Sequence, residues 1–271
     1  MDKGWIRVAA PAAALCAAAW WYTRRNVRSD EDIACDFLSI QEDHTGKLMK
    51  DSSSTYFNEV KSYKLIMTES ELNRAVQRVA REIERQTVGE KIVLCGILKG
   101  AYVFLHDLSQ QLNRPNSVYF VEASSYSGQE QSDGVELLSR IVASKFEGRK
   151  IVLVDELLDN GKTMDTMTQH LMKTLGVPRS NILTCVLMSK NRPQRPKHWD
   201  ADIVGIADLP DVWLVGYGLD DNGTKRGWPM LFGKPKCAGV PLAAADAIFS
   251  GSEEGAAMHA SIRQRIKESL L

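Results

Sequence analysis

The sequence of 271 residues is poor in cysteine, with only five residues scattered along the chain. Their number is odd and none forms a C-x-x-C pair, which argues against a disulfide framework and against a zinc site. We therefore expect reduced thiols in a cytosol-like compartment. Cys95 and Cys185 lie within apolar segments, where they are expected to be small buried residues.

An excess of charge of either sign is also lacking, because 34 basic and 34 acidic side chains cancel. No overall field therefore favours nucleic acid or an anionic membrane, and nucleic acid is not an expected partner. Any phosphate binding must come from a local arrangement of groups. The chain length fits one sizeable α/β domain with appendages rather than two full-sized domains, and we find no internal repeat.

The sequence has no apolar run long enough for a secure membrane span. Residues 8–23, VAAPAAALCAAAWWYT, are uncharged and flanked by basic residues, but a spanning helix needs about 20 predominantly apolar residues. Three interpretations stay open: a weak membrane anchor, a cleaved targeting leader and a soluble extension. We expect a cytoplasmic protein, with weak membrane tethering or organelle targeting by this segment as the alternatives.

Composition divides the chain into four parts. Residues 1–28 form the apolar N-terminal segment, residues 29–55 a polar linker, residues 56–240 the folded domain and residues 241–271 a C-terminal extension. The extension is expected to contain an additional helix near its end, HASIRQRIKESLL.

The folded domain alternates predicted strands and helices. It opens with a helix over ESELNRAVQRVAREIERQ, which Thr68 and Glu71 introduce as a capping box. Apolar segments predict five strands, at residues 92–98, 117–123, 150–156, 182–190 and 212–220. Intervening helical segments make the fold class α/β, with a parallel twisted sheet flanked by helices and the ligand at the carboxyl ends of the strands.

The segment that carries most chemical information is IVLVDELLDNGKTM, residues 151–164. An apolar strand ends in two adjacent carboxylates, Asp155 and Glu156, and the sequence DNGKT then leads into a helix. A glycine at Gly161 allows a backbone bend, so that successive N–H groups can converge on an anion. The helix N-terminus adds partial positive charge. The loop residues that form this predicted phosphate cradle are Asp159, Asn160, Gly161, Lys162 and Thr163.

Two other interpretations of this segment are weaker. A nucleotide-triphosphate loop of the Walker type needs a glycine where this chain has Glu156, and carboxylates beside a triphosphate would repel it. An acidic turn that caps a helix would account for Asp159 but would leave the acid pair and the glycine unexplained. A phosphorylated sugar fits better, because its hydroxyls can donate to the carboxylates while its phosphate occupies the loop.

The segment VDELLDNGKT resembles the signature of the type I phosphoribosyltransferases, which bind phosphoribosyl pyrophosphate in this way. The acid pair stands in the order Asp155 and Glu156 rather than the family's usual reverse order, and Asn160 replaces the usual threonine. The resemblance extends over roughly residues 64–236 and implies the family's fold, with a small hood region and a mobile lid loop.

Further segments resemble the hypoxanthine-guanine branch of that family. Lys99 and Gly100 match its pyrophosphate loop, in which a non-proline cis peptide is expected. Ser125 and Tyr126 match the serine-tyrosine pair at the head of the lid, which lies in a stretch rich in Ser, Gly and Gln. Closure of such a lid would exclude water from the reacting sugar.

The base-binding residues are also implied by this resemblance. Lys190 matches a lysine that contacts the exocyclic oxygen of the purine, and Trp213 matches the aromatic residue that stacks on the base. Backbone groups after that residue, at Leu214, would read the purine 2-position. Arg226 matches an arginine that neutralises pyrophosphate. Asp221 departs from the family, which often has an aromatic residue there.

The resemblance implies a purine salvage enzyme that transfers a phosphoribosyl group from phosphoribosyl pyrophosphate to a 6-oxopurine. Asp159 would accept a proton from the base, and Mg²⁺ would be held near Asp220, Asp155 and Glu156. The resemblance also implies a homo-oligomer, because members of the family usually form dimers or tetramers. A non-catalytic nucleotide-sensing regulator on the same fold is the alternative function.

Overall fold

The computed structural model describes residues 34, 37–38, 63–124, 136–139, 141–235 and 248–271. The chain divides into two units, Met1–Lys61 and Ser62–Leu271, and nearly all of the described residues belong to the second. The predicted N-terminal segment 1–28 lies outside the described residues, as do most of the linker and the lid residues Ser125 and Tyr126. No helix in the described ranges combines the length and the apolar character needed to cross a membrane.

The second unit contains a larger parallel sheet, a smaller antiparallel sheet and flanking helices. The strands are β1 Lys64–Met67, β2 Ile92–Leu98, β3 Ser117–Ser124, β4 Glu136–Leu137, β5 Lys150–Leu158, β6 Ile182–Lys190, β7 Ile203–Leu209, β8 Trp213–Val215 and β9 Leu231–Lys234. The helices are α1 Glu69–Gln86, α2 Tyr102–Gln111, α3 Lys162–Leu175 and α4 Glu253–Ser269.

The larger sheet has the strand order β4-β3-β2-β5-β6-β7 in the described part of the chain. Strands β3, β2, β5, β6 and β7 run parallel, and only the short β4 is antiparallel. From β2 the chain continues to the neighbouring strand on one side of the sheet, and from β5 it continues to the neighbouring strand on the other side. The gap between the ends of β2 and β5 is therefore a topological switch point. Ligands of open α/β sheets bind at such a point, and both the Lys99 loop and the phosphate loop follow these strands. The predicted α/β class with a central parallel sheet is confirmed.

The assignment of the fifth parallel strand to residues 212–220 is wrong. That place belongs to β7, and only Trp213–Val215 of the predicted segment is a strand. The segment IVGIADL of β7 is less uniformly apolar than its neighbours, yet Ile203, Ile206 and Leu209 are buried and pair it with β6. Strand β8 instead joins β1 and β9 in an antiparallel sheet of three strands. We call this smaller sheet the hood.

Helix α1 begins where the capping box predicts. The Thr68 side chain accepts from the Glu71 N–H, and the Glu71 side chain accepts from the Thr68 N–H. Its apolar stripe of Leu72, Val76 and Val79 is buried in the core with α2, on one face of the sheet. Burial of each such side chain contributes about 1.5–3 kcal/mol. Helix α3 packs into a separate cluster on the opposite face.

Helix α4 confirms the helix expected in the C-terminal extension. Ser252 caps it by accepting from the Gly255 N–H at 3.1 Å. Arg263 is buried, forms an ion pair with Glu71 at 2.6 Å and donates to the carbonyl of Ile66 in β1 at 2.7 Å. The helix therefore ties the first turn of α1 to the hood strand β1.

Candidate active site

The loop predicted to bind phosphate joins β5 to α3, as the sequence predicts. Gly161 has φ of 86°, a left-handed conformation, and a Cβ added there would lie 2.8 Å from Trp199 Cβ. Both its backbone angle and its surroundings therefore require glycine. The side-chain oxygen of Asn160 accepts from the Lys162 N–H at 2.9 Å, which orders the turn in front of α3. Lys162 and Thr163 form the first residues of that helix.

The acid pair lies within β5, which continues to Leu158 rather than ending at Glu156. The N–H of Glu156 donates to Asp155 Oδ1 at 3.0 Å. Burial, followed by the adjacent charge of Glu156, raises the pKa of Asp155 well above its ordinary value. Burial also raises the pKa of Glu156, whose Oε2 is buried without a hydrogen-bond partner among the described residues. The pair is therefore poised to accept hydroxyl donors or a cation.

The segment predicted to bind pyrophosphate lies directly against Glu156 of this pair. The peptide between Leu98 and Lys99 is cis, as the family resemblance implies. A Cβ added at Gly100 would lie 1.8 Å from Glu156 Oε1, so the backbone approaches the carboxylate more closely than any side chain would allow. A Cβ added at Gly218 would lie 2.1 Å from the Gly100 carbonyl oxygen. Two glycines thus bring the segment after β2 against β5 and against the loop after β8.

Asp220 and Arg226 stand at the same edge of the site. Arg226 forms an ion pair with Asp220 at 2.7 Å and donates to the Gly218 carbonyl at 2.8 Å. Burial is the largest cause of the raised pKa of Glu156, while the charge of Arg226 lowers that pKa and the charge of Asp220 raises it. The predicted pyrophosphate and metal residues are therefore near enough to act electrostatically on the acid pair.

Asp221 departs from the family pattern, and the structure gives it a local structural role. It is buried and forms ion pairs with Lys225 at 3.0 Å and Lys234 at 2.6 Å. Tyr63 also donates to it, and the ammonium of Lys225 lies 5.3 Å from the centre of that ring. These contacts anchor the loop that carries Asp220 to β9 of the hood.

Two of the predicted base-binding residues lie in β8 of the hood, and the third ends β6 of the larger sheet. Lys190 is buried at the end of β6, with Nζ 3.3 Å from Asp159 Oδ2. Trp213 is partly exposed at the start of β8 and donates from Nε1 to the carbonyl of Asp220 at 3.2 Å. Leu214 is buried beside it and pairs with Gly233 of β9.

Three charged residues of the site were not predicted from the sequence. Arg192 donates from Nε to Asp159 Oδ1 at 2.7 Å and also donates to Asp211. Arg195 donates to the carbonyl of Asp159 at 2.8 Å and to Ser189 Oγ at 2.9 Å. It therefore connects the ends of β5 and β6. The only available signal was the cluster of basic residues after Lys190.

Asp159 is held in its charged form. Burial raises the pKa of this carboxyl, but the charge of Lys190 and the hydrogen bond and charge of Arg192 outweigh burial and leave its pKa below the ordinary value. An ionised carboxylate at the head of a phosphate loop and beside a lysine can accept a proton from a bound base.

The comparison with protein families agrees with this geometry. The family model described as the phosphoribosyl transferase domain matches residues 63–222, so the chain belongs to the phosphoribosyl transferase family. The predicted resemblance to type I phosphoribosyltransferases is confirmed.

The chain is similar to hypoxanthine-guanine phosphoribosyltransferases in particular. It is 36% identical to that of Aquifex aeolicus over 174 residues, 64% of this chain and 94% of the relative. It also resembles the crystal structure of hypoxanthine-guanine phosphoribosyltransferase from Bacillus anthracis (31% identity, TM-score 0.55, 63% and 97% of the two chains). A third similar structure is hypoxanthine phosphoribosyltransferase from Trypanosoma cruzi in complex with the product IMP (29% identity, TM-score 0.55, 63% and 93%).

Proposed function

We propose that this chain transfers the 5-phosphoribosyl group from phosphoribosyl pyrophosphate to a 6-oxopurine, namely hypoxanthine, guanine or xanthine. The products are pyrophosphate and the corresponding nucleotide, IMP, GMP or XMP. The observation that carries the proposal is the pairing of a buried donor, Lys190, with an ionised acceptor, Asp159, at 3.3 Å beside a phosphate loop. The names of the similar relatives support the same substrates.

The purine edge suits this pair because its O6 and N7 are neighbouring positions on one side of the ring system. Lys190 Nζ would donate to O6, while Asp159 would take the proton that N7 carries in the free base. Trp213 would hold the ring by stacking, which is worth about 1–3 kcal/mol per base. Leu214 would present backbone groups to the purine 2-position.

The sugar side suits phosphoribosyl pyrophosphate. The N–H groups of the turn at Gly161 and the start of α3 would bind the 5-phosphate. Asp155 and Glu156 would accept hydrogen bonds from the ribose hydroxyls, and Glu156 Oε2 is available for such a donor among the described contacts. Lys99 and Arg226 would hold the pyrophosphate.

Cleavage at the anomeric carbon develops positive charge on the ribose and negative charge on the leaving pyrophosphate. The acid pair stands under the sugar and favours the positive centre, whereas Lys99 and Arg226 favour the leaving group. Asp159 removes the proton as the purine nitrogen attacks. The catalytic contribution of these residues is positioning and electrostatics, without a covalent intermediate on the protein.

Magnesium fits the acid pair. Asp155 and Glu156 are neighbouring buried acids with raised pKa values, and a hard cation would relieve their repulsion; Asp220 is the third predicted ligand. Within the described ranges no three His, Cys, Asp or Glu side chains converge on one metal position. Pyrophosphate oxygens and water would therefore complete the coordination, as is usual for this ion. When bound, it would neutralise charge on the leaving group.

An Asp159→Asn variant tests the assignment of the base. We expect kcat for nucleotide formation to fall by about 100-fold or more, while the affinity for phosphoribosyl pyrophosphate, measured by calorimetry, changes little. A protein that only senses nucleotide would show binding in both forms and turnover in neither. If binding and turnover are both insensitive to the change, Asp159 is not the base.

Assembly and location follow as expectations. We propose a homo-oligomer, dimer or tetramer, in the cytoplasm, and the free buried thiols of Cys95 and Cys185 support a reducing compartment. Sedimentation velocity tests the assembly. Fractionation of cells that express the full chain or a version without residues 1–28 tests whether that segment tethers the protein to a membrane or directs it to an organelle.

A further inference from the structure

Asp159 belongs to a closed ring of four alternating charges. Arg192 contacts Asp159 Oδ1 through Nε at 2.7 Å and through Nη2 at 2.6 Å. Lys190 contacts Asp159 Oδ2 at 3.3 Å and lies 3.7 Å from Asp211 Oδ1. Arg192 Nη1 donates to Asp211 Oδ2 and closes the ring. Each carboxylate thus meets both cations, and each cation meets both carboxylates.

The members of the ring come from separate segments at the mouth of the site. Asp159 follows β5, Lys190 ends β6, Arg192 lies after β6 and Asp211 lies before β8. Lys190 is 5% exposed at its side chain, whereas Asp159 is 42% exposed, so the carboxylate is open to a ligand. Among the described residues, Arg195 donates to the backbone carbonyl of Asp159, and Lys162 lies three residues further along the chain.

The two carboxylate oxygens of Asp159 have different partners in the ring: Arg192 contacts Oδ1, and Lys190 contacts Oδ2. Arg192 holds Oδ1 through a hydrogen bond from Nε and through the close ion-pair contact of Nη2. This charge-assisted contact has a fixed direction. The longer contact from Lys190 leaves Oδ2 less tightly held and on the side of the donor assigned to the purine oxygen. Asp211 accepts from Arg192 and neighbours Lys190, so it limits the positive charge that Asp159 experiences.

We propose that Arg192 and Asp211 are positioning residues for Asp159, in which Arg192 fixes the carboxylate with Oδ2 toward the purine and Asp211 balances the two cations. This inference rests on the proposed role of Asp159 as proton acceptor. Neither residue needs to touch the substrate. Removal of Arg192 should make Asp159 easier to protonate, because a neighbouring positive charge and a hydrogen bond to the charged form are lost. Removal of the charge of Asp211 should have the opposite effect.

The two variants are expected to shift the protonation midpoint of Asp159 in opposite directions, and general damage to the site would not produce this pattern. The full chain is labelled with ¹³C at the aspartate carboxyl carbon, and the Asp159 signal is assigned by its loss in Asp159→Asn. The pH midpoint of that signal should move up in Arg192→Gln and down in Asp211→Asn. Arg192→Lys keeps the charge without the paired geometry and should move it up by less than the glutamine variant does.

Arg179→Gln is the matched control. Arg179 donates to both oxygens of Asp202 at 2.9 and 3.0 Å, so this variant removes another arginine from a carboxylate and should leave the Asp159 midpoint unchanged. In parallel, Arg192→Gln should lower kcat by up to about 100-fold through misplacement of the base, with KM for phosphoribosyl pyrophosphate unchanged.

The proposal is overturned if Arg192→Gln leaves the midpoint where it was, or if both ring variants move it in the same direction. The titration does not depend on turnover, so its failure is distinct from failure of the proposed function. An inactive wild-type protein with the expected midpoints would refute the proposed function, and with it the positioning role of Arg192 and Asp211, while the electrostatic coupling within the ring would stand. An active wild-type protein with unmoved midpoints would refute the ring alone.

Discussion

Gly100→Ala is expected to inactivate the protein without unfolding it. The new Cβ would lie 1.8 Å from Glu156 Oε1 and 2.2 Å from its Cδ. An ordinary contact is about 3.4 Å, so the carboxylate or the Lys99 loop must move by more than 1 Å. Displacement of about 1 Å in an active site can cost on the order of 100-fold in rate. We therefore expect kcat/KM for phosphoribosyl pyrophosphate to fall by at least about 100-fold.

The measurement is steady-state nucleotide formation, with thermal unfolding of the same sample as a check on folding. Gly227→Ala is the matched control, because a Cβ at that glycine would meet nothing within 4 Å and its φ is not left-handed. The control should keep wild-type activity. If Gly100→Ala also keeps wild-type activity, the close approach of the loop to Glu156 does not matter for catalysis.

Three further results are expected. Arg263→Met should lower the free energy of unfolding in urea by about 3–5 kcal/mol, because it leaves the buried Glu71 carboxylate without its cation. Burial raises the pKa of Glu71, but Arg263 and Thr68 outweigh burial and keep that pKa below its ordinary 4.5. The stability that the ion pair contributes is therefore present above pH 4.5 and is lost as the pH falls below it. Asp155→Asn should raise the melting temperature at neutral pH in the presence of EDTA while lowering activity. Burial and the charge of Glu156 raise the pKa of Asp155, so ionisation of Asp155 costs stability as the pH rises, and asparagine avoids that cost. An unchanged or lower melting temperature would contradict this. Trp213→Ala should raise KM for the purine by about 5- to 150-fold, as loss of stacking worth about 1–3 kcal/mol implies, and an unchanged KM would show that Trp213 does not stack on the base.

Features that depend on neighbouring residues in the sequence could be predicted. The capping box of Thr68 and Glu71, the strand with its acid pair and the glycine turn before α3 are each contained in a short segment. The resemblance to a family supplied the cis peptide after Leu98 and the positions of Lys190 and Trp213. Each of these features could be predicted because the residues that determine it lie within one short segment of the chain.

Features that depend on tertiary pairing could not be predicted in the same way. Strand β7 reads IVGIADL, whose glycine and aspartate obscure an apolar strand until its pairing with β6 is known. The segment at Trp213 is apolar enough to suggest the central sheet, but β9 pairs with it in the hood. The ion pair of Arg263 with Glu71 spans 192 positions, and Arg192 meets Asp159 across 33. No short sequence pattern joins residues that far apart.

The most direct test of the central claim is a substrate panel with purified full-length protein, Mg²⁺ and phosphoribosyl pyrophosphate. Hypoxanthine, guanine and xanthine are supplied separately, and pyrophosphate and nucleotide are measured together. We expect at least one base to give equal amounts of both products. Folded protein that releases no pyrophosphate with any of the three would contradict the assignment.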